Sequence, residues 1–448
     1  MFAGLFADYP VRFFSFYKPG DEKENISEEG KYYVTGYAAK LIHTILKNSG
    51  FSISENINPS HVIVGGKLEK ENKSIRNRLQ RQNHFEMTFS LGSKSGYHQV
   101  MKKFEENYGF MPSFYPESYS LPGEYSELCK AFSKYPIWIS KPGGGSRGNG
   151  ITVIDKLPKN TNMRMIIQKY IPNPLLIDGF KFDLRFYVAV TSLEPLKIYC
   201  FNNGLVRLAT EKYVDNLNDL SNRSAHLTNF SINKESENFH VTNDISEDGQ
   251  GNKWSHEPFW PWLQAQGFDI DEIKGKIESA FVTTILASLP SFLRQRNPRN
   301  SFELFGFDVM ITQDGDINIL EVNVSPALGT SSALDMYVKA PMVRDLFNIA
   351  LICNPNEFAE KYEDIIWEKV DNNVLGSIVI CEYEESQLRL GGFKCIYPTK
   401  NSVEKLLQFH PNLSYEDEVL HKWVIKSDEE RMSELPNHIS LVRNALSK

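Results

Sequence analysis

Two acidic residues and an amide near residue 315 have the spacing expected of a metal site. Asp308 lies in the alternating apolar run Leu304–Thr312, and Glu321 lies in the apolar run Ile317–Val324. The dipeptide Asp314-Gly315 separates the two runs, and Asp-Gly between such runs is a strong signal for a β-hairpin. If the loop has two residues, counting back along both strands places Asp308 directly opposite Glu321.

The predicted pairing would bring like charges together. Cross-strand partners share one face of a sheet, and Asn323, two residues beyond Glu321, shares that face. Two carboxylates at ~4 Å repel by roughly 4 kcal/mol at a surface-like effective dielectric, so a positive group is expected between them. Mg²⁺ prefers oxygen ligands and completes its octahedron with water and phosphate oxygens. The alternative is a longer loop that leaves one acid in solvent, and the spacing alone does not decide between the two.

A second charged pattern lies in the run 181–190. Lys181, Asp183 and Arg185 recur with period 2, so a strand would project all three from one face. An Asn-Gly hairpin signal at 203–204 precedes Arg207 on the returning strand. The cationic groups could converge on one anion, since arginine offers the fork that carboxylates and phosphates prefer. A solvent-facing ladder of salt bridges would show the same spacing.

The segment 141–150 is a glycine-rich cationic loop. Its glycines match GxGxxG, but a β-branched strand, Ile151–Ile154, follows in place of a helix. Dinucleotide-binding fingerprints and P-loops both open a helix, so both interpretations fail. Two interpretations remain, a hairpin whose amides, with Lys141 and Arg147, close over an anion, and a mere long turn.

The elements that must position these residues follow from apolar periodicity. Helices are predicted over 32–48, over 96–108, over 270–289 with Pro290 at the end, over 341–353, and over the acidic stretch 357–368. Buried strands are predicted over 61–65, 136–140, 165–171 and 196–201, and the polar stretch 234–256 is expected to be a surface loop.

Bulk composition limits the class of protein. A chain of 448 residues is too long for one ordinary core and predicts two to four domains. The five cysteines are scattered without CxxC spacing, which favours a reducing compartment over a disulfide framework. No apolar run reaches the ~18 residues of a membrane span. A net charge of −7 argues against a generic nucleic-acid binder.

Several short motifs recur in an order that carries a family resemblance. They are Asn83-His-Phe85, Trp138-Ile-Ser-Lys-Pro142, Gln168-Lys-Tyr170, Lys181-Phe-Asp-Leu-Arg185, Gly204-Leu-Val-Arg207, His226-Leu-Thr-Asn229, Gly251-Asn-Lys-Trp254, Glu303-Leu-Phe-Gly-Phe-Asp308 and Leu320-Glu-Val-Asn-Val-Ser-Pro326. This ordered set resembles the tubulin tyrosine ligase-like family over roughly residues 83–355. Members of that family have an ATP-grasp fold of the α/β (α+β) class.

The resemblance implies four parts of the chain. Residues 1–90 would form a small N-terminal α/β domain, and 91–178 a central ATP-grasp domain with the glycine-rich loop. Residues 179–354 would form a C-terminal ATP-grasp domain that holds the metal and catalytic residues. Residues 355–448 would be a helical or irregular extension.

The resemblance also implies the site residues. ATP would be held by Lys94, Lys141, Gln168, Lys169, Tyr170, Ile171, Lys181, Asp183, Thr228 and Asn229. Two Mg²⁺ ions would be held by Asp308, Glu321 and Asn323, in agreement with the hairpin count. The catalytic residues would be Arg185, Arg207 and Arg147, placed where the substrate carboxylate and the transferred phosphoryl group meet.

The family reaction is ligation, in which ATP phosphorylates a carboxylate and an amine attacks the acyl phosphate to form an amide. The run 181–192 and Gly251–Trp254 resemble the polyglutamylase branch, while Arg147 and Val324 resemble its chain-starting members. The implied partners are free glutamate and the acidic C-terminal tails of tubulin. Basic stretches at 70–81, 102–103 and 294–299 would recognise those tails.

The resemblance further implies a monomer in the cytoplasm, on microtubules or in a cilium, with no nucleic-acid or membrane partner. Alternatives on the same scaffold are glycine or tyrosine ligation and glutamylation of acidic proteins other than tubulin. A further alternative, from another class, is an inactive microtubule-binding scaffold. All the expected metal ligands are present in the sequence, which argues against an inactive protein.

Overall fold

The computed structural model describes most of the chain. The described residues are 30–57, 60–66, 80–88, 91–145, 149–159, 162–213, 228, 244–294, 300–352, 371–410 and 412–446. Arg147, Asn229, most of the basic stretch 70–81 and the acidic stretch 357–368 lie outside these residues.

Sixteen strands and ten α-helices are found in the described part of the chain. The strands are β1 Gly30–Thr35, β2 Phe51–Ile53, β3 Val62–Gly65, β4 Arg81–Asn83, β5 Ser118–Leu121, β6 Trp138–Pro142, β7 Thr152–Ile154, β8 Met165–Lys169, β9 Leu176–Ile177, β10 Phe180–Leu193, β11 Leu196–Phe201, β12 Leu205–Lys212, β13 Lys253–Ser255, β14 Ser301–Ile311, β15 Ile317–Val324 and β16 Phe393–Tyr397. The helices are α1 Lys40–Asn48, α2 Lys94–Tyr108, α3 Tyr125–Ala131, α4 His256–Ala265, α5 Ile270–Phe292, α6 Ala333–Ile349, α7 Asn372–Leu388, α8 Lys400–Leu406, α9 Tyr415–Val424 and α10 Asp428–Leu446.

A twelve-stranded sheet organises the molecule around the 14-residue strand β10. On one side β10 pairs with β12 along its first half and with β11 along its second half, and on the other side it pairs with β14. The parallel strands β1 to β4 continue the same sheet, because β4 pairs with the start of β14. The mixed α/β class predicted from the sequence is confirmed.

Two apolar clusters contact the large sheet. In one, Phe281 of α5 packs against Phe186 of β10 and Phe307 of β14. In the other, the parallel strands and α1 pack with α6 and the C-terminal helices. Residues of β10 alternate between the clusters, since Phe186 belongs to the first and Tyr187 to the second. Aromatic side chains bury large areas, so these clusters hold the sheet rigid.

A separate four-stranded antiparallel sheet has the order β5-β8-β6-β7. Its core is small and centres on Trp138, which stacks on Phe132 at 5.6 Å between ring centroids. This sheet carries the glycine-rich hairpin between β6 and β7, as the sequence predicted for its two strands.

The C-terminal extension is built onto the large sheet. Strand β16 pairs with β11, and the buried Asp417 of α9 accepts a hydrogen bond from the backbone N–H of Leu196. Trp423 of α9 is fully buried and donates from its ring nitrogen to Glu384 of α7. The division of the chain into four domains stays a prediction, although one sheet takes strands from all four proposed parts, the second part contributing β9 alone.

Several predicted boundaries are wrong. The helix predicted over 32–48 begins at Lys40, because the β-branched and aromatic residues before it form β1 and Gly36 adopts φ +64°. The helix predicted over 341–353 is α6, which begins earlier at Ala333, where the Ser332 side chain caps it. The predicted first residue, Pro341, therefore lies inside the helix. Likewise α5 continues through Pro290 to Phe292.

The stretch 234–256 is not entirely a surface loop. Residues 253–255 form β13, which pairs with β12, and the structure then enters α4. A three-residue strand is too short to show an apolar period in the sequence. This correction matters because β13 carries a lysine at the site.

Candidate active site

The acidic hairpin pairs as predicted, but for a different reason. Asp308 lies directly opposite Glu321. The loop has three residues, 313–315, rather than two, with Gly315 at φ +77°. This is the usual form of a three-residue hairpin loop. The extra loop residue shifts the pairing of the two strands by one residue from the predicted register. A β-bulge at Leu320 shifts the pairing back, so that Asp308 faces Glu321.

Positive side chains compensate both acids. Asp308 accepts hydrogen bonds from Arg185 at 2.5 Å (Nε) and 3.1 Å (Nη2), and Nη2 of Arg207 lies 2.8 Å from its Oδ2. Nζ of Lys94 lies 3.4 Å from Oε2 of Glu321. Nδ2 of Asn323 faces both carboxylates, at 3.3 Å from Glu321 and 3.5 Å from Asp308. The acids thus share a face without being left to repel each other.

The electrostatics of Asp308 follow from these contacts. Burial alone would raise the pKa of Asp308, but Arg185 and Arg207 hold that pKa well below the usual range of a carboxyl. The pKa of Arg207 is raised because Asp183 and Asp308 outweigh the cost of its burial. Asp183 binds Arg207 at 2.6 and 2.7 Å and accepts from the Thr228 hydroxyl at 2.6 Å. Asp308 and Arg207 therefore remain ionised across the physiological range.

Five adjacent strands contribute charged side chains to one face of the large sheet. Register alone requires this, because Arg207 lies opposite both Asp183 and Lys253, while Asp308 lies opposite both Arg185 and Glu321. In strand order from β13 to β15 the residues are Lys253, Arg207, Asp183 with Arg185, Asp308 and Glu321. The period-2 prediction for 181–185 is thus confirmed as a row of charges, and the solvent-facing ladder is excluded because Asp183 is 3% exposed.

A cleft of about 660 Å³ lies between this face and the small sheet. It brings together eleven of the residues named from the sequence, Lys94, Lys141, Gln168, Lys169, Tyr170, Ile171, Lys181, Asp183, Thr228, Asp308 and Glu321. Arg185, Arg207 and Asn323 contact the carboxylates at its floor. Its lining combines apolar and charged side chains, as small-molecule and cofactor sites commonly do.

Two lysines of the cleft are buried and have unusual acidity. Lys141 donates to Gln168 at 2.6 Å, and burial lowers its pKa to about 8 against the opposing effect of Glu321. Lys181 lies over the ring of Tyr170 and donates to its hydroxyl at 3.2 Å. Burial lowers the pKa of Lys181 to about 7. Desolvated ammonium groups of this kind gain from a polyanionic ligand, which would favour their charged form.

Sequence reasoning missed the apolar walls of the cleft. Ile139 and Ile151 line it from the small sheet, and Met310 and Leu320 line it from the hairpin. A flat aromatic ligand such as a purine fits between walls of this type. The signal was available in part, since Met310 is two residues beyond Asp308 and so lies on the same face of β14.

Sequence reasoning also missed a charged cluster at the outer end of the row. Lys253 and Lys339 both contact Asp335, at 2.6 and 2.8 Å. Lys253 appeared only as part of a motif, without a role. No periodic signal could place Lys339 and Asp335, because the packing of α6 on the sheet brings them there.

The residues present fit magnesium and a nucleotide. The described residues contain no group of three His, Cys, Asp or Glu suited to a metal. Two carboxylates and an amide nevertheless supply hard oxygen donors, and the side-chain oxygen of Asn323 would face the same point if its amide were flipped. A site with so few protein ligands suits Mg²⁺ that is shared with phosphate oxygens.

Comparison with known proteins identifies the family. The sequence model of the tubulin-tyrosine ligase family matches residues 71–361, which is more than half of the chain.

The chain belongs to the tubulin-tyrosine ligase family.

Membership of the tubulin-tyrosine ligase family confirms the resemblance read from the motifs and agrees with an ATP-grasp fold. Tubulin monoglutamylase TTLL4 of Mus musculus is 40% identical over 305 residues, which cover 66% of this chain and 25% of that protein. Tubulin polyglutamylase TTLL5 of Homo sapiens is 33% identical over 346 residues, which cover 72% of this chain and 26% of that protein. Tubulin polyglutamylase ttll-4 of Caenorhabditis elegans is 31% identical over 398 residues, covering 79% and 64%.

This family member therefore spans about a quarter of the length of the two mammalian relatives and under two thirds of the nematode one. Among the helices of the described part, none has the length and apolar character needed to cross a membrane.

Proposed function

We propose that this chain is an ATP- and Mg²⁺-dependent ligase that joins glutamate, through an amide bond, to side-chain carboxylates in acidic protein tails, most of all those of tubulin. The observation that carries the proposal is one cleft lined by four lysines and three carboxylates, with Arg185 and Arg207 at its floor. The relatives named for tubulin glutamylation support the choice of amino acid and acceptor.

The cleft residues would hold the nucleotide. The strand Gln168–Ile171, with the apolar walls, suits a purine, and Lys141 and Lys181 suit the phosphates. Asp183, held by Arg207 and Thr228, would accept from a ribose hydroxyl or orient Arg207. Asn229 and Arg147 complete the proposed set from outside the described residues.

Asp308, Glu321 and Asn323 would hold magnesium. When bound, the nucleotide supplies the phosphoryl group that activates the acceptor carboxylate, and the metal neutralises phosphate oxygens. Lys94, at 3.4 Å from Glu321, would then be released from that acid to meet a phosphate.

Arg185 and Arg207 would hold the acceptor carboxylate. Each uses Nε and Nη2 on its aspartate partners within the described residues, so Nη1 is available to a substrate. Their geometry is fixed by buried ion pairs, so little reorganisation is needed as charge develops on the substrate. Such alignment with positive charge is the chief demand of this reaction.

Chain initiation rather than elongation is part of the proposal. It depends on Arg147 and Val324, as the resemblance implies. Val324 is the last residue of β15, three residues beyond Glu321, and a Cβ on Gly92 would come within 3.1 Å of its side chain.

Mass spectrometry of tubulin tests the function. Purified protein is incubated with tubulin, ATP, Mg²⁺ and one labelled amino acid at a time. We expect mass increments of single glutamate units, dependent on ATP and absent with glycine or tyrosine. Incorporation of glycine but not glutamate would overturn the choice of amino acid.

A matched variant separates catalysis from scaffolding. Glu321→Gln removes one metal ligand, whereas Lys394→Gln removes an exposed ion pair with Glu278 far along β16. We expect the first to lower ligation by about a thousandfold and the second to leave it unchanged. A wild type that binds microtubules without ligating any amino acid, and a Glu321→Gln variant that binds them equally well, would favour an inactive microtubule-binding scaffold.

A further inference from the structure

A buried cationic cluster lies beside the proposed acceptor site. Nζ of Lys253 is 2.6 Å and Nζ of Lys339 is 2.8 Å from Oδ1 of Asp335. The hydroxyls of Ser331 and Ser332 donate to the other oxygen, Oδ2, at 3.1 and 3.2 Å. The two ammonium groups thus share the carboxylate of Asp335.

The cluster is built to stay charged. Burial alone would raise the pKa of Asp335, but Lys253 and Lys339 lower it to about 2. Asp335 is 2% exposed, whereas the side chain of Lys253 is 15% exposed and that of Lys339 is 7% exposed. An anion would therefore approach through Lys253.

The cluster adjoins the row of charged side chains on the face of the large sheet. Lys253 on β13 lies directly opposite Arg207 on β12, so the two side chains share a face. Burial lowers the pKa of Lys339, and the attraction of Asp335 opposes that shift. Lys339 also lies close enough to Arg185 for the guanidinium charge to lower its pKa further. An anion bound at Lys253 would thus lie one strand away from the carboxylate held by Arg207.

A buried hydroxyl supplies an independent sign of a ligand. Tyr187 follows Arg185 by two residues on β10 and therefore projects from the same face. It is fully buried, and its hydroxyl has no hydrogen-bond partner among the residues that the structure describes. Arg185 and Asp335 are among the charges that act on it. Buried polar groups are normally paired, so this hydroxyl lacks a partner that a ligand could provide.

We propose that Lys253 and Lys339 bind the α-carboxylate of the incoming amino acid and so position its amine for attack. This inference rests on the proposed ligase function and names a subsite of the same active site. It adds two residues that sequence reasoning left without a role.

The spacing of the sheet suits this arrangement. Neighbouring strands lie about 4.8 Å apart, so Lys253 and Arg207 can hold two carboxylates side by side. In an amino acid the amine and the α-carboxylate are attached to the same carbon. Anchoring that carboxylate at Lys253 therefore holds the amine next to the acyl group held by Arg207. Attack then forms the C–N bond as phosphate leaves and the amine loses a proton.

Part of the cluster also has a structural role. Nζ of Lys339 donates to the carbonyl of Gly329 at 2.7 Å and so ties the loop before α6 to the helix. Replacement of Lys339 would disturb that loop, so Lys253 is the better residue to test.

The test uses two glutamate analogues with the full-length chain. The α-amide of glutamate (isoglutamine) lacks the α-carboxylate, and glutamine lacks the side-chain carboxylate. For the wild type we expect kcat/KM with isoglutamine to be at least tenfold below that with glutamate. For Lys253→Gln we expect KM for glutamate to rise about tenfold with KM for ATP unchanged. We also expect the preference for glutamate over isoglutamine to fall towards one, while the preference over glutamine is retained.

Three controls define failure. Lys253→Arg keeps the charge and should retain most of the preference, and Lys394→Gln should match the wild type. If the wild type uses isoglutamine as efficiently as glutamate, the inference is wrong. This result does not depend on the variants, so it decides the matter even if Lys253→Gln fails to fold. A variant that loses its preference over glutamine instead would assign the lysines to the side-chain carboxylate and would also overturn it. If the wild type incorporates no amino acid at all, the proposed function itself is wrong.

Discussion

The two sheets that enclose the cleft are built very differently. The large sheet contacts two extensive apolar clusters, and two of its acids at the site, Asp183 and Asp308, are hydrogen-bonded to arginines at 2.5–3.1 Å. The small sheet has a core of five fully buried residues centred on Trp138. It meets the large sheet through long polar contacts, such as Nζ of Lys141 to the carbonyl of Leu320 at 3.5 Å.

This difference suggests a division of roles. Charges that must keep their alignment during reaction lie on the rigid sheet, where buried ion pairs fix them. Groups that must admit and release a nucleotide lie on the sheet with the smaller core, which should open locally at lower free energy. The following predictions test this comparison, beginning with the largest expected effect.

Glu321 and Asp308 should respond differently although both are proposed metal ligands. Glu321→Gln should lower ligation by about a thousandfold and change the free energy of unfolding by less than about 0.5 kcal/mol, because its ion pair with Lys94 is long and partly exposed. Asp308→Asn should abolish ligation and also destabilise by about 3 kcal/mol, because two buried guanidinium groups lose their shared partner. Steady-state kinetics and urea unfolding measure the two effects.

Equal stability of these two variants would contradict the rigid role assigned to the arginine pairs. Asn323→Ala serves as a control, since it removes an amide without leaving a buried charge unpaired.

Trp138→Ala should unfold the small sheet selectively. Removing a fully buried aromatic side chain costs about 3–5 kcal/mol. We expect hydrogen-exchange protection to be lost in β5–β8 and retained in β10 and β14. Phe281→Ala, in the core under the large sheet, should instead lower protection throughout. Uniform loss in both variants would show that the sheets unfold as one unit.

The affinity for ATP should fall as the pH rises from 7.5 to 9. With pKa values of about 7 and about 8, Lys181 is already mostly deprotonated at pH 7.5 in the free site, Lys141 is mostly protonated, and both have lost nearly all their protons by pH 9. Phosphates bind the protonated lysines, so binding requires proton uptake and weakens on the order of tenfold or more over the range. Titration calorimetry in buffers of different ionisation enthalpy measures the protons taken up.

A Lys181→Met variant should bind ATP more weakly and with a flatter pH dependence. An unchanged slope would mean that Lys181 does not meet the phosphates.

Lys94→Gln should have the smallest effect. Lys94 contacts Glu321 at 3.4 Å and the carbonyl of Gly145 at 3.4 Å, and neither contact is short. We expect KM for ATP to rise about fivefold, the equivalent of about 1 kcal/mol, with stability unchanged. A loss as large as that of Glu321→Gln would give Lys94 a direct role in the reaction.

Much of the site was predictable where strand periodicity applies. The facing of Lys181, Asp183 and Arg185 follows from period 2 in a long strand, and the structure confirms it. The pairing of Asp308 with Glu321 was also predicted correctly, although the loop length behind the count was wrong.

The rest required tertiary information. Lys253 lies in a strand of three residues, which is too short to show a period, and Lys339 reaches the site only through the packing of α6. The contacts of Arg185 and Arg207 with Asp308 were not predicted, because the sequence shows which residues share a face but not which side chains reach across it.

The bulge of the acidic hairpin changes what a single strand can present to a ligand. Leu320 and Glu321 are consecutive yet both line the cleft, while Ile319 and Val322 on either side of them lie in the core. Strict alternation would have turned one of the two neighbours away from the cleft. One extra residue thus adds an apolar contact beside the acid while Glu321 stays opposite Asp308, so deleting Leu320 should remove that contact and keep the acidic pair.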